Sequence, residues 1–299
     1  MSGTYVAASS LNDVLQAMAG GARPVAGGTD LVVGARSGKA PLPDALVAIH
    51  RVSDLRGVSE RDGALVLGAL ATHADLAGSA AVRERFTALA DASAIVGSHA
   101  TRNAGTIGGN VMNASPAMET GGPLICFGAV ATLRSASGSR EVAVGELFTG
   151  PGQTVASPDE LLTEITVPSQ AAGTGSCYVR LEYRRQMEIA IVGATAVVTL
   201  RGGTVSDARI AITALAPTIH RVAEAEQALS GSDGGDAAVR AAADAAAQAS
   251  QPISDVRGSA DYRRAMAAVI TRRAITAALA RAGGEDVPIP ASPALHGAI

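Results

Sequence analysis

The chain has 299 residues, of which 47% are hydrophobic, and its formal net charge at pH 7 is −3. It contains no run of about 18 uncharged apolar residues and no block of basic residues, which excludes a membrane-spanning helix and argues against a nucleic-acid partner. Because the first residues lack the basic and apolar regions of a secretory signal, we predict a cytoplasmic protein.

The cysteines and histidines do not form a metal-binding pattern. Only two cysteines occur, Cys126 and Cys177, and both are flanked by apolar or small residues. An iron–sulfur cluster or a cysteine-rich zinc site needs more such ligands, and the histidines lack a metal-binding spacing. We therefore predict no metal in this chain and two inert thiols.

The amino-terminal segment has the pattern of a small α/β unit in which a pair of glycines connects a strand to a helix. Ser10 precedes a helical stretch that ends at Gly20 and Gly21, and Pro41 and Pro43 interrupt the chain further on. The predicted elements are a strand at 4–8, a helix from 11 to 18, a strand at 23–26, a helical turn at 31–36 and a strand at 45–50.

A second unit begins near residue 57. A helix is predicted to open at Thr72, and an apolar spacing near 3.6 predicts a further helix over 82–96. The stretch 97–115 is rich in Gly, Asn, Ser and Thr, which indicates an ordered functional loop. The strands predicted in this unit are at 64–69, 130–135, 140–144 and 161–167.

Residues 169–176 have the small, polar composition of a domain boundary. Beyond them, two β-prone stretches flank Arg201-Gly202-Gly203-Thr204, which is a hairpin signal. The remaining sequence favours helices, and its end is predicted to be loose. The predicted elements are strands at 189–200 and 205–215 and helices at 221–229, 236–248 and 261–281.

Two glycine pairs are the most informative motifs: Ala26-Gly27-Gly28-Thr29-Asp30 and Thr106-Ile107-Gly108-Gly109-Asn110. Paired glycines permit positive φ and a close approach of the backbone to a ligand. Consecutive N–H groups in such a turn can hold phosphate oxygens, so two turns suggest a ligand with two phosphates, such as a dinucleotide. Neither a Rossmann fingerprint nor a P-loop is present.

The second motif and its surroundings carry a family resemblance. The run from Arg102 to Ala117 closely resembles the FAD-binding medium subunit of molybdenum hydroxylases, the xanthine dehydrogenase and aerobic carbon monoxide dehydrogenase family. The first glycine pair is similar to the family's other FAD motif. Later segments at 158–162 and 184–190 agree, and those at 255–257, 262–263 and 272–273 are similar to the family's last helices, so the resemblance covers roughly residues 4–281.

The resemblance implies a mixed α/β (α+β) fold. A two-part FAD-binding domain of the PCMH type would occupy residues 1–170, with subdomains of about 1–56 and 57–170. A carbon-monoxide-dehydrogenase-flavoprotein-like α/β domain would follow at 176–285, and residues 286–299 would form a loose tail.

The resemblance also implies where FAD binds. The backbone of the first motif would hold the phosphates and ribityl chain, the second would grip the pyrophosphate from the other side, and an arginine would lie at the flavin edge. Since no lysine lies near either glycine pair, backbone dipoles and Arg36 or Arg102 would meet the phosphate charge, and the resemblance makes Glu119 a carboxylate on the ligand side. The cofactor-binding candidates are Ala26, Gly27, Gly28, Thr29, Asp30, Leu31, Arg102, Thr106, Ile107, Gly108, Gly109, Asn110, Asn113, Ser115, Glu119, Arg180 and Arg184.

In such a family the substrate reacts on another chain. The resemblance implies a molybdenum-cofactor large subunit and a small subunit with [2Fe–2S] clusters as partners. This chain would accept electrons on FAD and pass them to a quinone, NAD or oxygen. The redox chemistry would belong to the cofactor, so no catalytic side chain is expected.

Two other functions remain open from the sequence. One is a self-contained FAD-dependent oxidase or reductase of the vanillyl-alcohol-oxidase-like fold, which would need its own acid–base residues facing the flavin. The carboxyl-terminal part shows no such set. The other is a non-redox nucleotide-binding module, which would use the glycine turns without a flavin and would be colourless when purified.

Overall fold

The computed structural model describes residues 3–296. Its first part is a three-stranded parallel sheet in the order β1-β3-β2. The first helix begins at a capping box, in which Ser10 and Asp13 bond each other's backbone N–H groups. The elements are β1 (Thr4–Ala7), α1 (Leu11–Ala19), β2 (Arg23–Val25), α2 (Leu31–Arg36) and β3 (Ala45–Ala48).

The second part is a five-stranded antiparallel sheet in the order β4-β5-β10-β6-β7, covered by short helices. Leu65, Leu67, Ile165 and Val167 of its central strands are buried in the main core. The elements are β4 (Val58–Arg61), β5 (Ala64–Gly68), α3 (His73–Gly78), α4 (Ala80–Arg85), α5 (Thr87–Ile95), α6 (His99–Ala104), α7 (Ile107–Met112), α8 (Gly121–Cys126), β6 (Val130–Ser135), β7 (Gly138–Ala143), α9 (Val144–Leu147), β8 (Phe148–Gly150), β9 (Gln153–Thr154) and β10 (Leu161–Val167).

Two predictions for this second part differ from the structure. The helix expected over 82–96 is divided at Phe86, whose ring packs edge-on against Phe127 with centroids 5.2 Å apart. The stretch expected to be a loop contains α6 and α7, which begin at side-chain caps from Ser98 and Thr106. Helices of six residues are too short to show an apolar period, so only their caps could have indicated them.

The third part is a four-stranded antiparallel sheet in the order β11-β12-β13-β14 with helices on one face. The predicted hairpin is confirmed, and Gly202 and Gly203 adopt positive φ at its turn. The elements are β11 (Thr174–Leu181), β12 (Val192–Arg201), β13 (Thr204–Thr213), β14 (His220–Arg221), α10 (Ala223–Leu229), α11 (Asp236–Ala249), α12 (Ala260–Ala282) and α13 (Ala291–His296).

The loose tail predicted for 286–299 is wrong for the residues that the structure describes. Ala291 and Ser292 are buried, and Asp91 accepts a hydrogen bond of 3.0 Å from the Ala291 N–H. Ser292 Oγ accepts from the Arg180 N–H at 3.0 Å. These acceptors and donors come from distant segments, so the local composition of the tail could not indicate its order. Residues 297–299 lie outside the described part.

Within residues 3–296 no helix is both long enough and apolar enough to cross a membrane, and no group of three potential metal ligands occurs. The two cysteines are buried and unpaired by a disulfide. Burial raises the pKa of Cys126 to about 12, so its thiol stays protonated and unreactive at neutral pH.

Candidate cofactor site

The first glycine motif forms an open turn between β2 and α2, as predicted. Gly28 has φ +68°, a conformation that glycine adopts without strain. Among the described residues, no acceptor bonds the N–H groups of Gly27, Gly28, Thr29 or Asp30. Ala26 and Leu31 flank the turn and are half-buried. Adjacent free N–H groups on an accessible turn are suited to bind an anion.

Asp30 is the acidic residue of this turn. It precedes α2, but its carboxylate makes no capping hydrogen bond. Partial burial raises the pKa of Asp30, and the charge of Lys39 opposes that shift.

The turn lies directly against the end of α6. A Cβ on Gly27 would overlap the carbonyl oxygen of Ala104, so only glycine permits this approach. A Cβ on Gly105 would lie 3.4 Å from Thr29 Oγ1 and 3.5 Å from His73 Cδ2. The structure therefore brings the two predicted motifs together at a backbone-to-backbone contact.

The second glycine pair does not form a second set of free N–H groups. The N–H groups of Ile107 and Gly108 donate to Ala71 O at 2.8 Å and Ala69 O at 3.0 Å. The Gly109 N–H donates to Thr106 Oγ1 at 3.1 Å, and the Asn110 N–H donates to Thr106 O at 2.9 Å. The expectation of a backbone cradle is corrected here, because packing and capping use every N–H from residue 107 to residue 110.

Gly108 is required by packing within the protein. A Cβ on Gly108 would lie 2.7 Å from both the Cβ and the carbonyl oxygen of Ala69, which follows β5. Ile107 is fully buried in the main core and does not face an open site. Gly109, by contrast, is exposed. Of this pair, only Gly109 lies where a ligand could approach.

The polar residues after the second pair form a short arc beside it. Asn110 Oδ1 accepts a hydrogen bond of 2.6 Å from Thr120 Oγ1, which orients the amide. Asn113 is exposed, and Ser115 Oγ accepts from the Ala117 N–H at 3.3 Å. Ala114 between them has φ +47°. Next to the second pair, a ligand would therefore meet polar side chains and no free backbone N–H from residues 107–110.

Arg102 and His73 lie close to the second motif. Arg102 on α6 is half-buried, and its Nη1 donates to Val96 O at 3.0 Å. Burial and the charge of Arg180 lower its pKa. His73 is only 2% exposed, and burial together with the charge of Arg102 lowers its pKa to about 4. The imidazole is therefore neutral at pH 7.

The sequence gives no signal for His73 at the site, because its spacing from the other histidines fits no metal-binding pattern. Its position directly after Thr72, which caps α3, was visible in the sequence. What the sequence could not show is the hydrogen bond of 3.1 Å from the His73 N–H to Gly105 O, which attaches α3 to the second motif.

Arg180 is at the centre of a buried ionic cluster. The side chain is fully buried, its Nε donates to Glu182, and its Nη1 donates to Glu119 and, at 3.3 Å, to Glu188 O. Burial raises the pKa of Glu119. Glu119 belongs to the first domain and Arg180 to β11, so the cluster joins the two domains. Glu182 was not among the predicted residues.

Arg184 is separate from this cluster. Its side chain is 67% exposed and pairs with Glu188 at 3.0 Å. The loop that carries it contacts the first domain, because the Met187 N–H donates to Gly97 O at 2.9 Å. Of the two arginines considered for the flavin edge, Arg180 is thus fixed by its neighbours, whereas Arg184 is held at the surface.

The fold and the site together define a class of flavoprotein in which an FAD-binding domain of two subdomains precedes a smaller α/β domain. Residues 1–170 match the family model of the FAD binding domain in molybdopterin dehydrogenase. Residues 177–278 match the CO dehydrogenase flavoprotein C-terminal domain. The chain belongs to the family of FAD-binding medium subunits of molybdenum hydroxylases; it is an oxidoreductase component with FAD as its cofactor.

Curated relatives agree over most of the chain. The carbon monoxide dehydrogenase medium chain of Hydrogenophaga pseudoflava is 37% identical over 239 residues, covering 80% of this chain and 83% of that protein. The 6-hydroxypseudooxynicotine dehydrogenase complex subunit alpha of Paenarthrobacter nicotinovorans is 34% identical over 282 residues, covering 93% and 95%.

Solved structures have the same fold. The carbon monoxide dehydrogenase of Hydrogenophaga pseudoflava superposes with a TM-score of 0.90 at 36% identity, over 94% of this chain and 98% of that chain. Quinoline 2-oxidoreductase of Pseudomonas putida 86 superposes with a TM-score of 0.88 at 29% identity, with the same coverage. The two-domain architecture expected from the sequence is confirmed.

Proposed function

We propose that FAD binds with its phosphates on the Gly27–Asp30 turn and its ring system toward Arg180. The observation that carries this placement is the set of four consecutive N–H groups with no acceptor among the described residues. Those donors fit phosphate oxygens without a basic side chain in the turn. Gly109, Asn110, Asn113 and Ser115 would border the cofactor on the other side.

The buried arginine fits the other end of the cofactor. Arg180 Nη2 has no partner among the described residues, although its other nitrogens are bonded. Because the guanidinium is closed off by protein, it would act on the flavin through its charge and not through a direct hydrogen bond, and Glu119 and Glu182 hold it in place. Arg102 adds positive charge near the phosphates.

FAD, once bound, supplies the electron-transfer chemistry, and this chain binds, orients and shields it. The turn neutralises phosphate charge through backbone dipoles. No described side chain of the site is placed as a general acid or base: His73 is neutral and buried, and Glu119 is engaged by Arg180. The function of this chain is therefore to position an electron carrier.

In the complete enzyme, this chain would receive electrons from the [2Fe–2S] clusters of a small subunit. A molybdenum-cofactor large subunit would oxidise the substrate, and FAD would pass electrons to a quinone, NAD or oxygen. The support for partners is that relatives are named as medium chains or as a subunit of a dehydrogenase complex. The cytoplasmic location stays a prediction.

The visible absorption spectrum of the purified chain tests this proposal. We expect flavin bands at roughly equimolar occupancy, either as purified or after FAD is added and the excess removed. A colourless chain that fails to retain FAD, even when co-expressed with its partner subunits, would contradict the proposal and favour a non-redox module. A flavin-containing chain that oxidises a substrate without partners would instead support the self-contained oxidase.

Electron transfer needs a second experiment. The complex should be purified through a tag on this chain, reduced anaerobically with substrate, and mixed with a quinone, NAD or oxygen in separate reactions. We expect the flavin absorption to recover with one acceptor. The control is a complex stripped of FAD, in which reoxidation is followed through the iron–sulfur absorption. If its clusters are reoxidised as fast as those of the intact complex, electrons do not leave through FAD.

A further inference from the structure

The carboxyl-terminal helix α13 packs on β11, the edge strand of the third sheet. The outer edge of β11 has no neighbouring strand among the described residues. Backbone N–H and C=O groups along a buried edge need other partners. Side chains supply partners along this edge, and they come from helices outside the sheet.

The first half of the edge is bonded by α5 and α12. Thr87 Oγ1 donates to Ser176 O at 2.6 Å, and Arg281 Nη1 donates to the same oxygen at 2.7 Å. Asp91 accepts a hydrogen bond of 3.2 Å from the Tyr178 N–H. These two helices therefore hold the strand as far as Tyr178.

The partners of the next outward-facing residue, Arg180, come from α13. The Arg180 N–H donates to Ser292 Oγ at 3.0 Å, and His296 Nε2 donates to Arg180 O at 2.6 Å. Ser292 and His296 are four residues apart, so they lie on the same face of the helix. The following carbonyl, that of Leu181, accepts from the Ile191 N–H on the sheet side. Both backbone groups of Arg180 thus depend on α13.

A contact from α12 orients the imidazole of His296. Arg273 Nη1 lies 2.5 Å from His296 Nδ1. A guanidinium can only donate, so Nδ1 accepts and the ring proton is on Nε2, where it faces Arg180 O. Arg273 therefore selects the tautomer of His296 that can bond the strand.

The position of α13 is also fixed by contacts other than those two bonds. Ala291 is fully buried, and Leu295 packs against the apolar core of the carboxyl-terminal domain. The Ala291 N–H donates to Asp91 Oδ1 on α5 at 3.0 Å. The helix is thus attached to the first domain at its start and to Arg180 through its two polar residues.

The side chain of Arg180 extends from this backbone into the ionic cluster between the domains. It is fully buried and pairs with Glu119 and Glu182. Directly after Leu181 the chain leaves the sheet and forms the connection 182–191. Without partners on its outer edge, the end of the strand could shift, and the buried charge would shift with it.

We propose that α13 is a positioning element of the cofactor site, in which Ser292 and His296 hold the backbone of Arg180 and thereby fix its charge relative to the flavin ring. This role rests on the proposed function, which places the ring system toward Arg180. A positive charge near a flavin favours its reduced, more negative form, so the position of that charge affects the reduction potential. Ser292 and His296 act only through Arg180.

The reduction potential of bound FAD, measured by equilibration with a reference dye in the FAD-loaded protein, tests this role. Ser292→Ala and His296→Leu each remove one bond to the Arg180 backbone. We expect both variants to lower the potential, as Arg180→Met does. The binding of reduced FAD relative to oxidised FAD should weaken about threefold or more, which corresponds to the loss of one hydrogen bond.

A conservative variant and a stability control separate positioning from folding. His296→Gln keeps an N–H donor at the end of the side chain and should retain the parent potential. Val239→Ala removes apolar volume from the same core on α11 and makes the domain less stable without touching a bond to Arg180. The potential of Val239→Ala should equal that of the parent chain.

Two results would overturn the role of α13 alone. In the first, Ser292→Ala and His296→Leu lower the free energy of unfolding but keep the parent potential, so that the helix only stabilises the fold. In the second, Val239→Ala lowers the potential as much as they do. The proposed function fails differently: an Arg180→Met variant that binds FAD with the parent potential would contradict the placement of the ring, and the role of α13 with it.

Discussion

Gly27 of the first turn and Ala104 at the end of α6 touch through their backbones, and a Cβ on Gly27 would overlap the Ala104 carbonyl oxygen. The two motifs, which the sequence predicts to be separate phosphate sites, are therefore two halves of one structure. The first half has free N–H groups, and the end of α6, just before the second motif, packs against its backbone.

Gly27→Ala should separate these halves. The methyl group cannot fit against Ala104, so either the turn or the end of α6 must move, which changes the arrangement of the four N–H groups. We expect FAD content after purification to fall at least tenfold. The measurement is the ratio of flavin absorbance to protein, together with a titration of added FAD.

Gly34→Ala is the control for this exchange. Gly34 lies within α2, has no atom within 4 Å of a built Cβ, and has a helical conformation. Alanine there should leave FAD content unchanged and stabilise the helix by about 0.5–1 kcal/mol. Equal losses of FAD in both variants would refute a specific contact at Gly27.

The buried imidazole of His73 should make stability depend on pH. Its pKa falls from 6.5 in the unfolded chain to about 4 in the folded one, so between these values the unfolded chain binds more protons. The contribution of the neutral imidazole to the free energy of unfolding is fully present above pH 6.5 and declines by about 3 kcal/mol as pH falls below 4.

Chemical denaturation of the apo chain between pH 7 and pH 4 measures this effect. His73→Gln should flatten the pH dependence over that window. Identical slopes for the parent chain and His73→Gln would show that His73 keeps an ordinary pKa.

The Asp91–Arg281 pair should be a major stabilising contact between the domains. Asp91 is fully buried and accepts from Arg281 Nη1 at 2.6 Å and Nη2 at 3.1 Å. Arg281→Met leaves the carboxylate with only backbone donors, and we expect a loss of about 3–5 kcal/mol in the free energy of unfolding. The measurement is urea denaturation followed by circular dichroism.

An exposed pair serves as the comparison. Arg240 and Asp236 lie on the surface of α11 with 3.3 Å between Nη2 and Oδ2, and Arg240→Met should change the free energy of unfolding by less than about 0.5 kcal/mol.

A double variant tests the buried pair directly. Asp91→Asn combined with Arg281→Met should recover part of the stability that Arg281→Met loses, because no unpaired charge remains. A double variant as unstable as the sum of the singles would argue against a direct pair.

Arg180→Met should alter the flavin environment more than Arg184→Met does. Arg180 is buried and fixed, whereas Arg184 is mostly exposed. For Arg180→Met we expect weaker FAD binding, about tenfold or more, since Glu119 and Glu182 are left as unpaired carboxylates next to the site. Isothermal titration with FAD, with circular dichroism to verify folding, separates the two variants. A larger effect at Arg184 would place the flavin edge at the surface loop.

Much of the architecture was accessible from local patterns. The hairpin at Gly202-Gly203, the strand that ends at Val167 and the glycine turn after Val25 were all predicted where they occur. Turn glycines, alternating apolar residues and a closing proline affect the backbone only within a few residues, so the sequence around them is enough to predict the turn or strand. The FAD-binding family was recognisable for the same reason, since its motifs are short and contiguous.

The sequence by itself determined that glycine stands at Gly27 and Gly108, but only the tertiary structure decided what each glycine does. The missing side chain of Gly27 lets the Ala104 backbone lie against a turn whose N–H groups are free. The missing side chain of Gly108 lets Ala69 pack against it, and the Gly108 N–H donates to Ala69 O. The burial of Arg180, the order of α13 and the neutral state of His73 were decided in the same way. Each depends on partners or neighbours from distant segments, and a local pattern carries no information about a group that folding brings to it.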